Sequence, residues 1–364
     1  MMNQILNNIG KRGRQSLCSL ICFSANTLLT LTFSLTMPAF LFSCSETEDT
    51  VCEKTCRDMA LSLKAADSKD LDLPAIIDIF VFNDDGLQRL DSYQRITYSP
   101  ENGSVPYSAS RRGKKKIVAI VNPQNDKYEW AGINSFQSLL SVKAALEKEE
   151  GQKRLMSGTG YAYAGKDRNC AIEVSPMTSE IILNSIKCDF SSKPYRNAKL
   201  ENVRVYLTNV NASASLLQTD NFKPEKLYNI SGCSDEDLQE FSNPELICRS
   251  LENAVGSQPI FPGIKLLCYP NESSEDSPGS PFTRLVIEGR INGKICYYPI
   301  SINRPESGHC SGEPGIGRNC RFVYDITIKS TGSSHPETEV TPGTMEIKCS
   351  TINWEDEDNN DIIF

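Results

Sequence analysis

The sequence predicts a mainly β protein of two domains that follows an export leader. Three observations carry this prediction. Short apolar or alternating runs bounded by turn residues recur along most of the chain, only one long stretch has helical spacing, and a basic and then apolar leader ends at a cysteine. A chain of 364 residues leaves enough length for two ordinary domains after such a leader is removed. A single helix among many strands points to a β-sandwich that carries a lid.

Residues 1–43 are predicted to be a signal peptide. The segment Met1–Gly13 carries Lys11 and Arg12 but no acidic residue, as the first region of a signal peptide does. Residues 17–42 are mostly apolar, but the polar side chains among them weaken the case for a permanent span, which needs about 20 strongly apolar residues. An uncleaved N-terminal anchor remains the alternative, and either reading exports the rest of the chain.

The leader ends in Leu41-Phe42-Ser43-Cys44, the pattern that a lipoprotein signal peptidase requires. The small Ser43 fits the cleavage pocket, and the thiol of Cys44 is the nucleophile that takes a diacylglycerol. The sequence therefore predicts lipidation (palmitate included) at Cys44, with a cysteine buried in the leader as the alternative. Residues 44–58 are predicted to be an acidic tether, and their Ser45-Glu46-Thr47-Glu48-Asp49 resembles the surface-export signal of Bacteroidetes lipoproteins. Durable membrane attachment takes two or more acyl chains.

Composition excludes several classes of function. The chain is acidic, with a net charge of −8 and a pI near 5.1, so no nucleic-acid partner is expected. Its two histidines, His309 and His335, lie in Gly-, Ser- and Pro-rich surroundings. Histidine-based nucleophilic catalysis and histidine-rich zinc sites are therefore not expected.

Cysteine is abundant, with 14 residues. Cys18 and Cys22 would leave with the leader and Cys44 would carry lipid, so eleven remain. That number is odd, and some disulfide bonds are predicted in an oxidising envelope, with their connectivity left open. Cys52 and Cys56 have the spacing of a metal-binding pair, but no second pair or histidine lies at ligand spacing, so no metal site is predicted.

The first predicted domain, 59–190, begins with an alternating strand and a polar connector, residues 66–72. Five basic residues precede a later strand, and because no aromatic residues accompany them in the sequence, they are predicted to form a solvated hairpin tip. One helix is predicted from Asn134 to about Glu150, where apolar residues keep a helical stripe until Gly151. The predicted strands are Ala60–Lys64, Ile76–Phe82, Ile117–Val121, Ala171–Val174 and Glu180–Ile186, and the basic residues are Arg111, Arg112, Lys114, Lys115 and Lys116.

The second predicted domain, 191–364, is more plainly β. Residues 284–302 form the clearest hairpin, because Asn292-Gly293 takes the positive φ of a type I′ turn between two alternating arms. Residues 211–281 are predicted to be long loops that carry either short strands or a helix around Asp235–Phe241. Further strands are predicted at Val203–Thr208, Phe322–Ile328 and Met345–Ile352, the last leading into an acidic tail.

No catalytic residue is predicted. The glycine-rich run Gly312–Asn319 lacks the Gly-Lys-Ser/Thr ending of a phosphate-binding loop, and Gly158-Thr159-Gly160 lacks the serine of a nucleophile elbow. The sequence therefore indicates a protein for binding or assembly that is not an enzyme and needs no cofactor.

Several segments resemble the fimbrillin family, the subunits of type V pili in Bacteroidia. The leader, the lipid cysteine and the terminal Trp354-Glu355 also fit that family. The segments that carry the resemblance are Ile76–Gly86, Leu200–Val210, Tyr298–Ile302, Ile316–Asn319 and Phe322–Ile328.

The resemblance implies two transthyretin-like β-sandwich domains with one short helix in the first. It also implies a lipoprotein anchored in the outer membrane and exposed at the cell surface in a fimbrium, with other fimbrial subunits as its partners. Assembly in this family proceeds by strand exchange: a trypsin-like protease cuts after a basic residue behind the first strand, and a strand of another subunit fills the groove. Here the first strand is Met59–Ala65, and the donor strand would come from Met345–Phe364.

The processing site departs from the family pattern. The matching basic position is near Lys69, where the usual arginine is absent and Asp70 follows. Either Lys64 or Lys69 is cut inefficiently, or the subunit is not cut and serves as an anchor or accessory. The many cysteines also differ from the cysteine-poor stalk subunits. The alternative function is a surface lipoprotein that binds glycan or a host protein through the same β-sandwich fold.

Overall fold

The computed structural model describes residues 56–65, 75–124, 128, 130–151, 153–217, 227–228, 241–273, 281–305, 314–341 and 343–353. Strands predominate in this part of the chain and one short α-helix is present, so the predicted mainly β fold class is confirmed. No helix among these residues has the length and apolar character to cross a bilayer. The strands are β1 (Cys56–Ala65), β2 (Ala75–Asn83), β3 (Leu90–Tyr98), β4 (Val105–Ala109), β5 (Gly113–Val121), β6 (Lys143–Ala145), β7 (Met156–Ala164), β8 (Asn169–Pro176), β9 (Ser179–Cys188), β10 (Glu201–Thr208), β11 (Val210–Asn211), β12 (Ser213–Ser215), β13 (Leu227–Tyr228), β14 (Cys248–Ser250), β15 (Ile264–Cys268), β16 (Arg284–Ile291), β17 (Lys294–Ser301), β18 (Cys320–Ile328) and β19 (Met345–Asn353), and the helix is α1 (Phe136–Leu140).

The first eight strands, apart from β6, form one seven-stranded sheet in the order β3-β2-β5-β7-β8-β1-β4. The sheet bends sharply where β7 meets β8, because these strands pair only at Met156 and Ser157. Past that point a Cβ atom on Gly158 would lie 2.0 Å from the carbonyl oxygen of Glu173, so only glycine fits there. The bend brings β2 and β5 over β1 and β8, and their inward side chains share one apolar core.

The segment between β5 and β7 covers the outer face of β2 and β5. Its helix α1 starts at the cap Ser135 but ends at Leu140, so the prediction of a helix to Glu150 is wrong. The chain becomes extended instead, because β6 pairs with β12 and Leu146 is buried in the core. Tertiary pairing here outweighs the helical spacing of the apolar residues.

One buried carboxylate bonds the segment between β5 and β7, here called the cover, to the sheet. Asp78 of β2 accepts two hydrogen bonds from the guanidinium of Arg95, both at 2.8 Å. It also accepts bonds from Tyr93 Oη at 2.8 Å and from Trp130 Nε1, in the cover, at 3.0 Å. Burial and this carboxylate raise the pKa of Tyr93 to about 12. The four donors satisfy a charge that would otherwise be strongly unfavourable in the interior.

The second half of the chain forms two four-stranded sheets, ordered β14-β10-β16-β17 and β15-β9-β18-β19. Short pairs β11-β13 and β12-β6 flank them. Buried residues of both sheets and of the cover belong to one continuous apolar core. The predicted β16–β17 hairpin is confirmed, with positive φ values of 49° at Asn292 and 79° at Gly293.

The chain leaves the seven-stranded sheet at Met177 and Thr178, which connect β8 to β9 in a four-stranded sheet. Strand β9 pairs antiparallel with β15 and parallel with β18, both from the second half of the chain. The domain boundary near residue 190 stays a prediction.

Arg318 joins the second half of the chain to the bend of the first sheet. Its buried guanidinium donates hydrogen bonds to the carbonyl oxygens of Ser175 at 2.5 Å, Pro176 at 3.0 Å and Ser157 at 3.1 Å, and to Ser157 Oγ at 2.9 Å. Burial lowers the pKa of Arg318 to about 10, so the side chain is still charged at neutral pH. The segment around this residue therefore connects two parts of the fold, a role that the sequence did not indicate.

No disulfide bond forms among the described residues, where Cys170, Cys188, Cys268 and Cys296 are buried thiols. Burial raises the pKa of Cys188 to about 11, so this thiol stays protonated and unreactive at neutral pH. The predicted disulfides stay a prediction for pairs that involve cysteines outside the described residues.

Candidate functional site

The first strand of the folded body occupies an interior position in its sheet. Strand β1 pairs in parallel with β8 through six positions, from Ala60 opposite Asn169 to Ala65 opposite Val174. On its other side it pairs antiparallel with β4, as far as Leu61 opposite Val105. It therefore separates two strands that would otherwise leave a gap one strand wide.

The side chains of β1 alternate between core and solvent. Met59, Leu61 and Ala65 are buried in the core of the seven-stranded sheet, and Leu61 has no exposed surface. Ser62 and Lys64 point outward and are exposed. Burial of side chains such as Met59 and Leu61 stabilises a fold by about 1.5–3 kcal/mol each. The strand thus stays in place by ordinary apolar packing together with its backbone hydrogen bonds.

The core-facing side chains of both walls of the gap are mainly apolar. Strand β4 contributes Val105 and Tyr107, and β8 contributes Cys170 and Ile172, all of them buried. The Tyr107 hydroxyl is buried and has no hydrogen-bond partner among the described residues. Burial raises the pKa of the Tyr107 hydroxyl and of the Cys170 thiol, so neither group is ionised at neutral pH. Strand β1 fills this gap with the buried side chains of Met59, Leu61 and Ala65.

Strand β4 is held by contacts that do not involve β1. Ser92 Oγ of β3 donates to the carbonyl oxygen of Ser108 at 2.5 Å, and Gln94 Nε2 donates to Ser108 Oγ at 2.5 Å. The carboxylate of Asp91 accepts the backbone N–H groups of Ser110 at 2.8 Å and Arg111 at 3.3 Å. These bonds close the bent sheet by joining its two edge strands. Strand β4 is therefore anchored independently of β1, and β8 pairs with β7 at Met156 and Ser157.

The prediction that all five basic residues from Arg111 to Lys116 form a solvated hairpin tip is wrong for one of them. Lys115 is buried, with its ammonium 3.1 Å from Asp91 Oδ2 and 2.6 Å from Asn83 Oδ1. Arg111, Arg112 and Lys114 are exposed as predicted. The prediction is wrong for Lys115 because Lys114, Lys115 and Lys116 belong to β5, where alternate residues face opposite sides of the sheet.

Only some of the predicted site residues can be placed. Lys64 lies exposed on β1 opposite Glu173, inside a strand that is paired with β8. Cys44 and Lys69 lie outside the described residues, as does the whole 66–74 connection between β1 and β2. A protease needs an extended, unpaired substrate, so Lys64 is the poorer of the two processing candidates.

The structure describes only the first part of the predicted donor segment, Met345–Phe364. Its first nine residues form β19, an edge strand that pairs antiparallel with β18 along its whole length. Met345, Ile347 and Cys349 pack partly buried against the core. Residues 354–364 lie outside the described part of the chain.

Among the described residues, no group of three or more His, Cys, Asp or Glu side chains is close enough to hold a metal ion. Sequence reasoning missed β3 and β4, which supply the polar bonds between the edge strands. The β-branched and aromatic residues Tyr93, Ile96, Thr97 and Tyr98 were the available signal for β3.

Comparison with solved structures matches this architecture along most of its length. A protein of Parabacteroides distasonis assigned to cell adhesion superposes with a TM-score of 0.62 at 14% identity, covering 82% of this chain and 98% of the other. A protein of Bacteroides eggerthii, also assigned to cell adhesion, gives a TM-score of 0.57 at 14% identity, covering 82% and 96%. A fimbrilin (FimA) of Porphyromonas gingivalis gives a TM-score of 0.55 at 13% identity, covering 82% and 98%.

The fold is that of the fimbrillins. No family model and no curated protein matches the sequence, so the likeness rests on three-dimensional structure. At sequence identities of 13–14% this likeness is limited to the arrangement of strands, and it does not identify individual site residues.

Proposed function

We propose that this protein is a structural or accessory subunit of cell-surface fimbriae, exported as a lipoprotein through Cys44 and assembled by strand exchange at β1. The observation that supports this most directly is the position of β1, which fills a gap between β8 and β4. Its fimbrillin fold, shared with proteins of cell adhesion and a fimbrilin, supports the same proposal.

Loss of β1 would leave two unpaired strand edges beside an apolar gap. Backbone donors and acceptors of β8 and β4 would lose their partners, and core residues such as Ile172 and Val105 would become exposed. Because the polar bonds between β3 and β4 do not involve β1, the gap would keep its β4 wall, while β8 would keep its pairing with β7. A strand from another subunit would restore the backbone pairing and the apolar burial together. The function is structural, and it requires no catalytic residue or cofactor.

Proteolysis tests where β1 is released. Lys69 is the only basic residue between Ala65 and Ala75, so a trypsin-like protease can cut this connection only there. We expect limited trypsin treatment of the full chain to cut after Lys69 and to yield multimers that resist SDS. The variant Lys69→Ala should abolish both the cut and the multimers, whereas Lys64→Ala should leave both unchanged because Lys64 is held within a paired strand.

Sizing and N-terminal sequencing of the new fragment give the readout. A synthetic peptide of residues 345–364 should compete with multimer formation if this segment is the donor strand. Multimers that form from Lys69→Ala would contradict release of β1 at Lys69, and a cut chain that loses β1 and stays monomeric would argue for a binding module.

Lipidation has its own test. We expect cells that express the chain to incorporate radiolabelled palmitate into it, because the thiol of Cys44 accepts the diacylglycerol before the leader is removed. Cys44→Ser should abolish the label and retain the leader, while the neighbouring Cys52→Ser should retain the label. Mass spectrometry that finds an unmodified Cys44 on a chain with its leader attached would contradict the proposed anchoring.

A further inference from the structure

Two exposed tyrosines and three lysines share the outer face of the first sheet at one end of β5 and β7. We call these residues, Lys114, Lys116, Tyr161, Tyr163 and Lys166, the tyrosine–lysine platform. The tyrosines are large side chains with 63% of Tyr161 and 36% of Tyr163 exposed. Exposed apolar surface rimmed by polar groups can mark an interaction site.

The platform is a product of strand register. Strands β5 and β7 pair antiparallel, with Lys116 opposite Tyr161 and Lys114 opposite Tyr163. Side chains at directly opposed positions lie about 5 Å apart at their Cβ atoms. The basic residues therefore do have aromatic companions, although these lie far away in the sequence, and the expectation of a tip without aromatic residues is wrong for this face of the sheet.

Ring contacts hold two of the three ammonium groups in place. Lys116 Nζ lies 4.0 Å from the centroid of Phe136 and 5.6 Å from that of Tyr161. Lys166 Nζ lies 4.5 Å from the centroid of Tyr163. Cation–π attraction of this kind positions a flexible lysine beside an aromatic ring without neutralising its charge.

Two nearby carboxylates accept backbone N–H groups of their own turns. Asp167 accepts the backbone N–H of Tyr163 at 2.5 Å, and Asp85 accepts the N–H groups of Leu87 and Gln88 at 3.0 and 2.8 Å. Lys114, Lys116 and Lys166 form no ion pair with any carboxylate among the described residues. On a chain with a net charge of −8, the platform is thus a local cationic and aromatic surface.

We propose that the tyrosine–lysine platform binds an anionic polysaccharide. Two tyrosines at alternate positions of one strand are about 7 Å apart along it, so successive sugar rings of one polymer can lie against them. The ammonium groups around the rings complement carboxylate or sulfate groups carried on the sugars. The exposed tyrosine hydroxyls can donate hydrogen bonds to sugar hydroxyls.

A single-stranded nucleic acid fits less well. Its backbone carries a charge at every nucleotide and is tracked by a positively charged groove. Here the surface is an open sheet face with three ammonium groups, and acidic residues on two adjacent turns (Asp84, Asp85 and Asp167) limit the positive charge. The location of the protein at the cell surface, which rests on the proposed function, also brings it into contact with polysaccharides.

Binding of dextran sulfate to the full chain, purified in detergent, tests the proposal, with uncharged dextran as the matched probe. We expect dextran sulfate to bind and dextran not to bind at low salt. The double variants Tyr161→Ala/Tyr163→Ala and Lys114→Gln/Lys116→Gln should each raise the Kd at least tenfold. Phe261→Ala/Lys265→Gln, an exposed aromatic and lysine elsewhere on the chain, should leave the Kd unchanged, and thermal unfolding verifies that all variants are folded.

Three results would overturn the proposal. Absence of binding to dextran sulfate would do so, as would loss of binding in the lysine variant alone, which indicates simple ion exchange. Equal binding of oligodeoxythymidylate through the same four residues would assign the platform to nucleic acid. None of these results depends on strand exchange, so the test is independent of polymer assembly.

Discussion

Replacing Leu61 with aspartate is expected to expel β1 from its sheet and to lower the free energy of unfolding by at least about 3 kcal/mol. Leu61 has no exposed surface and lies in the core between β4 and β8. The substitution removes a buried leucine and places a carboxylate within a cluster of buried apolar side chains. Because β4 is bonded to β3 independently of β1, we expect the rest of the sheet to remain folded around an open gap.

Hydrogen exchange of β1, β4 and β8 measures this effect, together with chemical denaturation. Ser62→Asp is the matched control, since it adds the same charge at the next residue, where the side chain is exposed. It should change the free energy of unfolding by less than about 1 kcal/mol and leave exchange in β1 slow. Equal stability of the two variants would show that β1 is not held by its core-facing side chains. A chain opened by Leu61→Asp should also accept a donor strand without proteolysis.

The sequence predicted best those strands that carry their own pattern. The alternation in 284–302 and the Asn292-Gly293 turn specify a hairpin locally, β2 and the end of β5 are apolar runs, and β18 alternates between buried and partly exposed residues. In contrast, β3 is a largely polar edge strand and β4 is a strand of only five residues, and contacts such as those of Ser92 and Gln94 with Ser108 join the two. Such contacts join residues 14 or 16 positions apart in the chain, and no local sequence pattern predicts them.

The end of helix α1 and the composition of the tyrosine–lysine platform both depend on strand pairing, which a local sequence pattern does not specify. The helical stripe after Phe136 was real, but a strand partner at 213–215 drew residues 143–145 into extended structure. The platform depends on the register between β5 and β7, and a shift of one residue would turn both tyrosines to the opposite face. Composition and spacing identify the residue types that can bind a ligand, whereas register decides which of them meet.

The junction between the cover and the second half of the chain should weaken as the pH rises. Glu149 is buried near the end of the cover, where its carboxyl accepts hydrogen bonds from Tyr269 Oη at 2.8 Å and from the N–H of Leu155 at 3.1 Å. Burial raises the pKa of Glu149 to about 7, against the partial compensation of these bonds and of Arg154. The folded protein therefore keeps a proton on Glu149 that the unfolded chain releases near its ordinary pKa of 4.5.

The sign of the effect follows from that difference in proton binding. The stabilising contribution is complete below pH 4.5, falls as the pH rises to about 7, and is absent above it, a loss on the order of 3 kcal/mol. Glu149→Gln is neutral at every pH, so its free energy of unfolding relative to the native chain should rise across this window and then stay constant. Denaturation curves between pH 4 and 8 measure the difference, with Glu147→Gln, two residues earlier in the same turn, as the control. If the difference between Glu149→Gln and the native chain is the same at pH 4 and pH 8, then Glu149 is not protonated in the folded protein, and the junction must tolerate a buried negative charge.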